Sequence, residues 1–282
     1  MNEIFEIVFN LSLLSFIVGS MVVLGLNLTI AQIITPFKQV KIVIMAIITN
    51  FVIIPLFAFG LVSVLAVPEG VKIGIILLSL SGGAPFIPMI VAVAKGHVAS
   101  SVGLMILLLL ISIFFIPIAV PIVLAGTEVS SWELIKSLVS MMLLPLVLAL
   151  FIRARYPVFA ATIQAYIAKL TNISVLLMVV AVLFLYTETI ISNANTLPII
   201  SLFFIGAMLI GYVSGGRNRH ARIILAIGTG LRNPPIAILV AHQSFQAEPM
   251  AALVPLEAAI IGLSILLPLA IISKKNRRDE PA

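Results

Sequence analysis

Long apolar runs separated by short polar breaks dominate the chain. They fall at about 9 to 27, 42 to 66, 71 to 94, 98 to 125, 134 to 152, 170 to 190, 197 to 215, 222 to 245 and 250 to 272. A helix needs roughly 20 apolar residues to cross a hydrocarbon core of about 30 Å, and these runs have that length. The pattern predicts an all-α polytopic membrane protein of about nine transmembrane helices. Tyr156 to Lys169 carries Gln164 and Lys169 among apolar residues and reads as an amphipathic helix on the cytoplasmic surface leading into the next crossing. Thr35-Pro36-Phe37-Lys38 reads as an interfacial elbow.

Composition agrees with this picture and narrows it. The 282 residues are 62% hydrophobic and 9% charged, with a mean hydropathy of +1.30, far from the quarter of charged residues usual in soluble domains. The crossings consume the length and leave no room for a separate catalytic domain. A formal net charge of +6 suggests nucleic acid until the cations are located, because none forms a long basic face. The first, third, fifth, seventh and ninth breaks carry Lys38 with Lys41, Lys95, Arg153 with Arg155, Arg217 with Arg219 and Arg222, and Lys274, Lys275, Arg277 and Arg278. Alternate breaks carry Glu69, Glu128 with Glu133, Glu188 and Glu248, beside only Lys72 and Lys136. The positive-inside rule then places the N-terminus outside and the C-terminus in the cytoplasm of a cell inner (plasma) membrane. The first run follows the acidic stretch Met1 to Glu6 and lacks a cleavage pattern, so it is expected to remain as a membrane helix. With no cysteine in the chain, disulfides, thiolate metal sites and cysteine nucleophiles are excluded.

Two runs are interrupted in mid-membrane. The third reads LSLSGGAPFIPMIVAVAKGH, with Gly82, Gly83, Pro85 and Pro88, and the eighth reads ILAIGTGLRNPPIAILVAH, with Gly228, Gly230, Pro234 and Pro235. Broken backbone in hydrocarbon is tolerated only where protein or a watery cavity satisfies the freed groups. Each is expected to stop, run extended through its Gly/Pro stretch and restart. They are the third and eighth crossings, five places apart, so they traverse the membrane in opposite directions, as two inverted repeats sharing a midplane site would require. One transporter domain is expected over 1–282, with an incomplete first repeat over 1–133, a second over 134–273 and a cytoplasmic tail over 274–282.

These segments resemble the bile acid:sodium symporter family in its bacterial branch. GLNLT at Gly25 to Thr29, SGGAP at Ser81 to Pro85, AKGH at Ala94 to His97 and GTGLRNPPIA at Gly228 to Ala237 are similar to its helix-end, first-break and second-break elements. The resemblance starts at the family's second helix, which agrees with nine crossings and an outside N-terminus. It implies two crossed discontinuous helices, a core domain and a panel domain. It also implies secondary transport of a small organic anion or amphipathic acid by alternating access. Sodium-coupled relatives hold their ions with a Ser-Asn pair in the first broken helix and with Glu and Gln in the second. Here those places read Pro85-Phe86-Ile87-Pro88, Gly228 and Arg232, and Met105 replaces a hydroxyl. Asn50, Ser101 and Asn233 do match polar positions of the family. Sodium coupling is therefore expected to be altered or absent, with sodium or a proton the candidate coupling ion and no other cofactor.

Arg232 is the leading site candidate, because a charge at the bilayer centre costs at least ~2.5 to 3.5 kcal/mol and answers to a partner. It is open to two readings: a fixed cation standing where sodium would be, or a clamp for an anionic substrate assisted by free amides of a half-helix N-terminus near Asn233. Phe86, Pro85, Pro88, Asn233 and Thr229 border the breaks and complete the substrate-binding set. Glu257, in VPLEAAIIG, is the carboxylate placed inside a crossing; it reads as a neutral acid, half of a buried pair, a proton carrier, or an acid snorkelling to the outside. With Asn50, Ser101 and Gly228 it forms the ion-coupling set. His97 and His242 lie near helix ends, and Trp132 and Tyr186 read as interfacial aromatics.

Competing classes fare worse on the same residues. A cation/proton antiporter needs an intramembrane Asp or carboxylate pair, and only Glu257 is offered. A membrane enzyme needs paired Asp, a Ser/His arrangement or His/Glu metal spacing, whereas the only Asp is Asp279 in the tail. A non-transporting scaffold or sensor remains as an alternative. Expected partners are the lipid bilayer and a small organic anion, with monomer and homodimer both open.

Overall fold

The computed structural model describes residues 2–29, 31–32, 39–124 and 129–275. The expected elbow Thr35-Pro36-Phe37-Lys38, and Glu128, Arg277, Arg278 and Asp279, lie outside them. Every regular element among the described residues is helical: α1 (Asn2–Asn27), α2 (Val40–Val64), α3 (Glu69–Leu80), α4 (Ile87–Val93), α5 (Val98–Val123), α6 (Ser131–Arg155), α7 (Pro157–Ser192), α8 (Leu197–Ser214), α9 (Arg219–Gly230), α10 (Pro234–Ser244) and α11 (Pro249–Lys275). Eight spans are long and apolar enough to cross a membrane, and the remaining run of the sequence pattern is present as the short pair α3 and α4. The chain is an all-α polytopic membrane protein.

Two crossings bend through a π turn, Thr49–Ile53 in α2 and Val139–Leu143 in α6. Each precedes a proline, Pro55 or Pro145. Proline has no N–H and crowds the carbonyl four residues earlier, here on Phe51 or Met141, and a wide turn relieves that clash. Ile54 N accordingly bonds Thr49 O, and Leu144 N bonds Val139 O.

The contacts divide the chain into two compact units. The first, Met1–Ala31 with Trp132–Asn195, holds α1, α6 and α7. Small residues bring its helices close, as expected where lipid supplies no hydrophobic drive between them. A methyl at Gly25 would stand 2.6 Å from Ala149 Cβ and 2.7 Å from Leu146 O, and one at Gly19 would meet the Thr171 side chain. Ser174 Oγ donates to Ser15 Oγ at 2.9 Å. The helix expected to lead from Tyr156 to Lys169 into the next crossing is continuous with that crossing: Pro157 to Lys169 open the 36-residue α7. Pro157 sits in the first turn, where its missing N–H costs nothing, and Ala160 is buried against Leu26 and Ala149. Gly25→Leu is expected to force α1 off α6 and destabilise the protein by about 1 to 3 kcal/mol. A lowered thermal unfolding midpoint of detergent-purified protein would register it.

The second unit, Gln32–Ser131 with Thr196–Ala282, carries α2 to α5 and α8 to α11. Both interruptions lie in it. The first spans Ser81 to Phe86, where Gly83 adopts φ +80. The second is narrower than the sequence pattern implied: α9 continues through Gly228 and Gly230, and only Leu231 to Asn233 leave the helix before Pro234 opens α10. Gly228 and Gly230 serve close packing, since a Cβ would lie 3.0 Å from Leu104 Cδ2 at the one and 3.3 Å from Met208 Cβ at the other. The α9 to α10 span is 89% buried over its most apolar stretch, against 22% to 50% for the other seven spans. Protein rather than lipid surrounds the broken backbone, as its exposed amides and carbonyls require.

Candidate functional site

Helices α3 and α9 both end inside the apolar interior, and each end leaves up to four carbonyls without an intrahelical donor. At α3 all four are answered. Leu77 O accepts from Ser81 Oγ at 2.7 Å, Leu78 O from Ser81 N at 3.1 Å and from Arg232 Nε at 3.1 Å, Ser79 O from Arg232 Nη2, and Leu80 O from Ser112 Oγ at 3.4 Å. Arg232 Nη1 also reaches Thr229 O at 3.4 Å, in the last turn of α9. One guanidinium thus caps the C-terminal ends of two half-helices, where the helix dipoles concentrate negative potential.

The fourth oxygen on Arg232 is Asn50 Oδ1, 2.5 Å from Nη1. The π turn of α2 places Asn50 here, and its amide nitrogen donates to Ala46 O at 2.9 Å and to Thr229 Oγ1 at 3.3 Å. Arg232 is 1% exposed, and Asn50, Thr229 and Asn233 are fully buried. Its bonded oxygens are three carbonyls and one amide, with no carboxylate. Asn233 joins the two breaks directly: its backbone N donates to Ser81 O at 2.8 Å and its Nδ2 to Gly83 O at 3.0 Å. Asn233 Oδ1 is buried and has no hydrogen-bond partner.

The structure therefore brings together Arg232, Asn233, Asn50 and Thr229 of the expected residues. Ser101 is apart from them, its hydroxyl donating to Val98 O of its own helix at 2.6 Å. Gly228 offers no side chain, and Leu104 fills the space beside it. Pro85 and Pro88 are half-buried at the first break, and Phe86 is 47% exposed. Glu257 is half-buried on α11, one of its oxygens buried without a partner, and it is not among the groups bonded to Arg232. The expected assistance of free amides near Asn233 does not materialise, because the first two residues of α10 are Pro234 and Pro235 and carry no N–H. His97 plays a structural part, since its ring accepts from Ser100 N at 3.3 Å and caps α5. Tyr186 packs edge-on against Phe9, and Trp132 is exposed.

Sequence reasoning missed Ser112, whose hydroxyl also accepts from Gly82 N at 2.8 Å and so holds the first break open. Its signal was a lone hydroxyl in the run LLLLISIFF.

A family model described as the sodium bile acid symporter family matches residues 13–193, well over half of the chain. The chain belongs to that family. Members of the family are membrane transporters, and this chain is a multi-pass member. The matched residues run from the middle of α1 through α7 and take in the first break; the second break lies beyond them. A comparison with curated proteins finds no match.

Proposed function

We propose that this symporter-family protein is a secondary transporter of an amphipathic organic acid, working by alternating access without sodium. The observation that carries the reading is the occupancy of the crossover. Where two helix C-termini meet and a diffusible cation would be bound, the guanidinium of Arg232 already fills four oxygen positions. Sodium requires several hard oxygen donors, by the same logic that governs calcium and magnesium. Asn50, Thr229, Leu78 and Ser79 have committed theirs.

The substrate class follows from what remains. Arg232 is closed off, and α4 and α10 both place proline in the first turn, so neither half-helix offers a full set of amides to a small carboxylate. Beside the first break Phe86 and Met89 stand 47% and 49% exposed, an apolar surface suited to the hydrocarbon body of an amphipathic acid. Under this reading the two broken helices belong to inverted repeats, the N-terminus is outside and the C-terminus cytoplasmic in an inner membrane.

Flux into proteoliposomes tests both parts. Uptake of labelled amphipathic carboxylates is expected to be unchanged when choline replaces sodium, and a steep sodium dependence would refute the reading of Arg232. Phe86→Ala is expected to raise KM about tenfold, the scale of one buried side chain, with an unchanged thermal midpoint. An unaltered KM would remove Phe86 from the substrate surface.

A further inference from the structure

Two buried oxygens in the second unit have no partner, Asn233 Oδ1 and Glu257 Oε2. Gly70 of α3 faces Met250 of α11, and Gly74 faces Val254, so the two helices run parallel in a fixed register. Continued by one turn, that register sets Glu257 level with Leu77 and Leu78, the last turn of α3. Leu78 O is a ligand of Arg232, and Ser81 O receives the Asn233 amide. Glu257 is therefore within about one helical turn of the crossover along the axis, and about 12 Å into α11 from its start at Pro249. It shares a stripe with Met250 and Leu253, both buried, and with Ile260, which is exposed, so it stands half-buried where that stripe leaves the interior, with Oε2 on the buried side.

An ionised carboxylate with one oxygen buried away from any donor carries a desolvation cost. The cations nearby do not relieve it. Arg232 is committed elsewhere. On the elements packed against α11, α3 carries Glu69 and Lys72, paired with each other at 3.3 Å at its outer end. The last turn of α10 carries His242, the far end of α8 carries Tyr212, and α4 carries no titratable side chain. Glu248 lies in the turn before α11. None of these is bonded to the Glu257 oxygen.

We propose that Glu257 is a proton-binding site near the level of the crossover and carries the coupling ion of transport. A single carboxylate falls well short of the donors that sodium needs, whereas a proton needs one oxygen. Loading adds one proton to Oε2 and takes the side chain from negative to neutral; release returns the proton to water on the other side. The role in coupling rests on the transporter reading above; the binding of the proton does not.

The test has two arms. Infrared spectroscopy of the purified protein at neutral pH is expected to show a protonated-carboxyl stretch that disappears in Glu257→Gln and is indifferent to sodium. Absence of that band, its persistence in the variant, or its displacement by sodium would overturn the site. In proteoliposomes an imposed pH gradient is expected to accelerate wild-type uptake severalfold and to have no effect on Glu257→Gln, whose thermal midpoint stays near wild type because glutamine mimics the neutral acid. A gradient that acts equally on both proteins would overturn the coupling role. The band without flux of any acid would uphold the proton site and refute the transporter reading instead.

Discussion

Arg232→Ala is expected to destabilise the protein by about 3 to 5 kcal/mol, the range for removing one partner of a buried charged network. For a chain of this size that corresponds to a fall of about 5 to 8 °C in the thermal midpoint. The truncation strips donors from Leu78 O, Ser79 O, Thr229 O and Asn50 Oδ1 together, and each buried acceptor left unpaired costs about 1 to 3 kcal/mol. It also removes the cation that two helix ends share. Arg232→Lys is expected to recover only part of the loss, since a single ammonium cannot reproduce the planar fork that reaches four oxygens. Free guanidinium ion at low millimolar concentration is expected to raise the midpoint of Arg232→Ala while leaving wild type unchanged. An alanine variant as stable as wild type would show that the guanidinium does not hold the crossover.

Gly83→Ala is expected to do comparable or greater damage, above about 4 kcal/mol, for a different reason. Gly83 has φ +80, and an added Cβ would lie 2.3 Å from Leu109 N and 2.6 Å from Met105 O. Both obstacles are backbone of α5, so no side chain can move aside. Gly82→Ala meets Leu108 Cβ and Ser112 Oγ at 3.3 Å, and Gly216→Ala, at φ +62, meets nothing within 4 Å. These two are expected to lose far less, Gly216→Ala only the roughly 1 kcal/mol of a left-handed conformation. The yield of monodisperse protein in detergent and its midpoint rank the three. Equal losses at Gly83 and Gly216 would mean that backbone conformation, not contact with α5, sets the cost.

The crossings are legible because bilayer thickness translates directly into the length of an apolar run. The first break is legible for a related reason: Gly82, Gly83 and Pro85 together are residues that an unbroken membrane helix accommodates poorly. Arg232 stands out by the cost of its charge. Its partners do not, since three of the four are backbone carbonyls, which every residue carries and no side-chain pattern marks. The π turn that delivers Asn50 is equally silent, because a proline such as Pro55 is compatible with a kink or a wide turn, and packing chooses between them. The second break is narrower than its glycines suggest, because glycine in a membrane helix serves close approach as readily as breakage: Gly228 and Gly230 lie inside α9 and let Leu104 and Met208 draw near. The polar residues of Tyr156 to Lys169 mark its exposed face, but nothing in them marks the packing of Ala160 against Leu26 and Ala149.

A carrier whose central cation dissociates in every turnover can use that departure as a ratchet: the vacant form and the loaded form prefer different shapes. Arg232 is covalently part of the chain and never departs. On the sodium-free reading, the barrier between the two faces of this protein is then set once, by the chain itself, and salt in the medium has no handle on it. Any directionality in the cycle must be imported from a species that does come and go.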